Sequence, residues 1–185
     1  MKKAFFPSTA FGAITLLSAC GGGGGTISLQ DFASINASTD ISEFTDNAVV
    51  NASTDTLSYS GFVNIGPDTR PSSELVGFVG NLDLDVNFAL DTITGDATNF
   101  GRYTSVSATG NLPAVSGSLD IDGTLTGTNE TLSDGLVGTA VGTVDGYDFN
   151  MTMDGNILGQ PSRGGVVLYF DNIGDLGGGV GIAVR

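Results

Sequence analysis

The 185 residues carry 20 acidic groups against 6 basic ones, no histidine, no tryptophan and a single cysteine. That leaves room for one domain with a real core, and the negative balance excludes nucleic acid as a partner. Zinc, copper and iron sites built on His or Cys are excluded too, as are His- and Cys-based triads, so the chain reads as a non-enzymatic protein with no cofactor and no metal.

Residues 1–19 have the three parts of an export signal: basic Lys2 and Lys3, an apolar run over 4–17, and small Ser18 and Ala19. The apolar run falls short of the ~20 residues that a bilayer span needs. The only cysteine follows at once. Leu17-Ser18-Ala19-Cys20 resembles the lipobox of bacterial lipoproteins. The resemblance implies cleavage before Cys20 and acylation there, with diacylglycerol on sulfur and further acyl chains such as palmitate. Cysteine is required because its thiolate is the nucleophile, and an unpaired cysteine in an exported chain otherwise lacks a purpose. Gly21 stands where an inner-membrane retention signal resembles Asp, which points to the outer membrane and the cell surface. Without residues 1–19 the chain has no lysine, and its cations are Arg70, Arg102, Arg163 and Arg185. Its formal charge then becomes −16, from 20 acids against four arginines.

Residues 20–55 read as a lipidated cysteine followed by a tether. Five glycines open it, and the pentad Asn-Ala-Ser-Thr-Asp occurs at both 36–40 and 51–55. Phe32, Ile35, Ile41 and Phe44 show no clean period, so a spacer is expected.

Residues 56–185 form the folded domain. Leu82, Leu84, Val86, Phe88 and Leu90 alternate with Asn81, Asp83, Asp85, Asn87 and Ala89, and Leu119, Ile121 and Leu125, then Tyr147, Phe149, Met151 and Met153, alternate with polar residues. Such alternation marks half-buried strands. Weaker strands are expected at 57–65, 92–100, 104–110, 136–144, 165–170 and 178–184. Asp145-Gly146 signals a type I′ hairpin. Hairpin-linked strands must hide their edges, which predicts an all-β fold: a single small antiparallel up-and-down β-barrel of about eight strands. A two-sheet sandwich is the alternative. A membrane-spanning barrel is disfavoured, since aromatic girdles are missing.

Tyr59-Ser60-Gly61-Phe62, the run from Gly80-Asn81-Leu82 to Phe88, the run from Thr92-Ile93-Thr94 to Phe100, and Asp175-Leu176-Gly177-Gly178 together resemble the transferrin-binding protein B-like β-barrel of Gram-negative surface lipoproteins. The resemblance covers nearly all of 56–185. It implies a solid barrel that binds an extracellular protein or a small solute, with nutrient or iron acquisition as one use. A monomer is expected. This chain has room for one barrel, not paired lobes, and lacks the family's late aromatic segment. A structural or adhesive surface lipoprotein with no small ligand is the other reading.

Arg70, Arg102 with Tyr103, and Arg163 all fall in or beside predicted loops. If reversals follow near Pro113 and Thr131, the three arginines share one barrel end and form a partner-binding tip, since Arg and Tyr are typical interface anchors. Asp83 with Asp85, Asp120 with Asp122, and Asp148 with Asp154 are weighed as calcium pairs and read instead as a solvated exterior. Phe149, Met151 and Met153 are expected in the core.

Overall fold

Period-two alternation closes this chain on itself. The structure, a computed structural model, describes residues 27–66, 76–126, 135–159, 162–172 and 177–185. Its strands are β1 (Thr56–Ile65), β2 (Gly77–Asn87), β3 (Thr92–Tyr103), β4 (Gly117–Leu125), β5 (Leu136–Val144), β6 (Tyr147–Leu158), β7 (Gly165–Asn172) and β8 (Gly179–Val184). Each pairs antiparallel with the next, and β8 returns to β1 through Ser60 opposite Val184 and Ile65 opposite Gly179. The fold is a closed eight-stranded up-and-down barrel.

The inward residues fill it. Tyr59, Phe78, Leu82, Phe100, Leu119, Ile121, Phe149, Met151 and Leu168 are fully buried in one continuous core. Each such side chain contributes about 1.5–3 kcal/mol by leaving water. Met153 belongs to the same core, as expected. Asp145 and Gly146 have φ of 51° and 80°, the mirror-image turn that the β5–β6 hairpin requires.

Strand polarity fixes two ends. The upper end carries residues 66, 76, 104–116, 145–146 and 177–178. The lower end carries residues 88–91, 126, 135, 159 and 162–164, with the start of β1 and the end of β8.

Two expectations need correction. Residues 104–110 are not a strand but part of the long β3–β4 connection. Ser105 Oγ accepts from the Ser107 amide and the Ala108 amide donates to the Ser105 carbonyl, so local hydroxyl bonding replaces a ladder. Val106 is 71% exposed, as a loop residue can be.

The second correction concerns the tether. Beyond residue 26 it is a strap packed on the barrel, with α1 (Leu29–Ser38) and α2 (Asn47–Asn51). Ser28 and Asp31 cap α1 reciprocally: the Ser28 amide donates to Asp31 Oδ2 at 2.8 Å, and the Asp31 amide donates to Ser28 Oγ at 3.3 Å. The strap is needed because β7 and β8 are apolar on the outside as well, and β1 and β2 each add one outward apolar residue. Phe62, Val79, Val167 and Ile182 point outward, and Ile27, Phe32, Ile35 and Phe44 cover them. Lower down, Phe44 bridges Leu158, and the Thr45 amide donates to the Ile157 carbonyl at 2.8 Å. Val50 of α2 then joins the core.

Candidate functional site

Arg102 and Tyr103 end β3 at the upper rim. Beyond the bulge that shifts the β2–β3 register between Val79 and Asn81, they lie on opposite faces of the wall. Arg102 Nη1 donates to Asp145 Oδ2 at 3.0 Å, tying β3 to the β5–β6 hairpin. Tyr103 is 2% exposed, with its hydroxyl donating to Asn64 Oδ1 at 2.9 Å. Burial pushes its phenol up from the ordinary value. It packs with Val79, Ile27 and Leu112, and its ring lies over Gly77. Tyr103 is therefore part of the wall that holds the strap.

Arg163 lies at the lower end with φ of 50°. Its guanidinium meets Asp55 with both Nη atoms, at 2.6 and 3.2 Å, and stands 4.7 Å from the Phe88 ring centre. Tyr59 sends its hydroxyl from inside the barrel to the Arg163 carbonyl at 3.0 Å, and burial pushes that phenol up to about 12. The hydrogen bond from Arg163 holds Asp55 below the usual carboxylate range, with a smaller contribution from Arg185. Arg163 thus clamps the β6–β7 loop to the start of β1. Arg185 joins this end, its amide donating to the Gly164 carbonyl at 3.1 Å.

The single arginine tip does not form. Arg102 and Arg163 sit at opposite ends, because the mistaken strand at 104–110 added one reversal to the count. Arg70 and Cys20 lie outside the described residues.

A groove of about 480 Å³ opens beside the upper rim, between the strap and the β1–β8–β7 wall. Phe32 and Ile41 line one side, and Asn64, Tyr169, Asp171 and Val180 the other. Tyr169 is 37% exposed and Ile41 38%. The sequence reading missed this site, although a signal was present: Ser28-x-x-Asp31 ahead of Phe32 and Ile35 is a helix start with an apolar face. No family model, curated protein or solved structure matches this chain. Its chemistry must be read from the residues alone.

The wall of β2, β3 and β4 is acidic. Asp83 pairs with Asp96, and Asp96 with Asp120, so three carboxyl groups run across β2, β3 and β4 in one row. Partial burial and then the charges of Asp83 and Asp120 raise the Asp96 carboxyl above its ordinary range. Asp85 accepts from Ser58 Oγ at 2.5 Å, and Asp148 from Thr143 Oγ1 at 2.7 Å, as on a solvated wall. Among the described residues, no group of three His, Cys, Asp or Glu side chains is placed to hold a metal ion.

The row has a consequence for stability. The fold holds the Asp96 proton more tightly than the unfolded chain does. Its contribution is thus fully present below the unfolded pKa and is lost as pH rises through the raised folded value. Asp96→Asn is expected to stabilise the fold at pH 7 by about a few tenths of a kcal/mol, as for an exposed like-charge contact, and so to raise the melting temperature. Thermal unfolding followed at pH 7 and pH 3 checks this, and the gain should vanish at pH 3.

Proposed function

We propose that the protein is a lipid-anchored lipoprotein of the outer membrane, a non-enzymatic binding protein held to the bilayer through acylated Cys20. The observation that carries the binding role is the packed interior. Tyr59, Phe78, Phe100 and Phe149 fill the space that a ligand-carrying barrel leaves open, so contacts belong on the outside. The groove beside Tyr169 is the concave, part-apolar surface suited to them. Nutrient or iron acquisition, with an extracellular protein or small solute as partner, extends this reading through the resemblance to transferrin-binding protein B-like barrels alone.

A structural or adhesive role is the second reading. It is favoured by Arg102 and Arg163, whose Nη atoms are held by Asp145 and Asp55, and by Tyr103, whose hydroxyl is held by Asn64.

Protease shaving of intact cells tests the location. Loss of the barrel domain supports the surface-binding reading, and protection until the outer membrane is opened overturns it. A photo-crosslinking residue at position 169 then separates the roles. A discrete adduct on intact cells is expected for binding, and a featureless pattern for a structural coat.

A further inference from the structure

We infer that the barrel stands on the membrane by its upper end, which faces the lipid surface, while the end bearing Arg163 and Arg185 points away. The inference rests on the lipoprotein reading and adds a direction to it.

Ile27 is 3% exposed and lies seven residues after Cys20. Its carbonyl accepts from the Leu112 amide at 2.9 Å, and its Cγ2 lies 2.6 Å from where a Cβ on Gly101 would be. Gly101 is two residues from the upper end of β3. The strap is therefore pinned to the outside of the upper rim, between the β2–β3 wall and the 104–116 connection.

Seven residues reach at most about 25 Å when fully extended. The 12 residues of β3 give the wall its height. At ~3.3 Å per residue and a tilt near 40°, that height is roughly 30 Å. The upper rim therefore lies within reach of the bilayer in every direction the leash can take. The lower end could approach it only with the leash drawn tight along the whole wall. The charges agree: the exposed wall carries the row of Asp83, Asp96 and Asp120, which anionic headgroups repel, so the barrel is not drawn down onto that side.

Two consequences follow for recognition. The groove beside Tyr169 opens near the membrane, within reach of ligands held at that level. A macromolecule arriving from solution meets the lower end, where Arg163, Arg185 and the 69%-exposed Leu90 are found.

The chain has no tryptophan, so one introduced tryptophan is a clean reporter. Val106 at the upper end and Leu90 at the lower are both exposed, at 71% and 69%, so Val106→Trp and Leu90→Trp should fold as the parent does. The full chain, processed and acylated in a Gram-negative host, is reconstituted into vesicles whose headgroups carry dansyl. Energy transfer to dansyl should be several-fold stronger from position 106 than from position 90, in variants whose melting temperatures match the parent. Equal transfer, or stronger transfer from 90, overturns the inference. The mass of the N-terminal peptide reports acylation separately. An unmodified Cys20 sinks the lipoprotein reading, and the same thiol coupled to a maleimide lipid then still tests the leash.

Discussion

Exchanging Cys20 for serine is expected to abolish acyl labelling and to remove the protein from the outer-membrane fraction. The effect should be close to all-or-none, because nothing else on the described surface offers a second attachment. Each buried methylene of an acyl chain contributes about 0.8 kcal/mol, so two or more long chains hold a protein where one does so marginally. Against this, the acids outnumber the remaining arginines by 16, and the uncovered wall presents Asn, Asp and Thr where a lipid-facing band would need apolar residues. No described helix is long and apolar enough to cross a membrane. Metabolic labelling with palmitate, followed by fractionation of parent and Cys20→Ser cells, gives the result. A parent chain that takes up no label, or a serine variant that stays in the outer membrane, would remove the basis of the lipoprotein reading.

The barrel was legible because its strands obey one rule. Leu82 to Val86, Leu119 to Ile121 and Phe149 to Met153 each bury every second residue, and the sequence displays that parity directly. Where strands are apolar on both faces, parity is silent. Val166, Val167 and Leu168 are all buried, the first and third in the core and the second beneath the strap. Such a run says that something must cover the outside, but not what. The covering strap was hidden in turn by its composition, since Phe32, Ile35 and Phe44 are spread among Ser, Thr and Asn.

The candidate site was less legible than the fold, for a different reason. Which end a loop occupies depends on how many reversals precede it, and one false strand moves every later loop across the barrel. Thr104 to Gly110 alternates well enough to pass as a strand. The bonding of Ser105 to Ser107 and Ala108 decides otherwise, as does the pairing of Phe100 and Arg102 with Val115 and Pro113. The row of Asp83, Asp96 and Asp120 likewise depends on cross-strand register, which no single strand records. A pair of acids at i and i+2 was visible in the sequence, but three acids on three strands were not.

Packing at the β2–β3 bulge yields the second large effect. Asn99 has φ of 52°, a conformation that asparagine tolerates better than most residues, and the register shifts between Val79 and Asn81. This swings Phe100 inward until its ring lies over Gly80, where a Cβ would come within 2.5 Å of Cε1. Phe100 is fully buried, so Phe100→Ala should cost about 3–5 kcal/mol through lost burial and the cavity left behind. Gly80→Ala, a single methyl against that ring, should cost about 1–3 kcal/mol through overpacking. The two changes oppose each other in volume. With the ring gone, the methyl has space and fills part of the cavity, so the double variant should lose less than the sum of the singles by about 1 kcal/mol or more. Urea unfolding of the four proteins measures the difference. Additivity to within about 0.5 kcal/mol would show that Gly80 and Phe100 do not share the space described. A clear coupling would mean that glycine stands at position 80 because the aromatic ring occupies the place of a side chain.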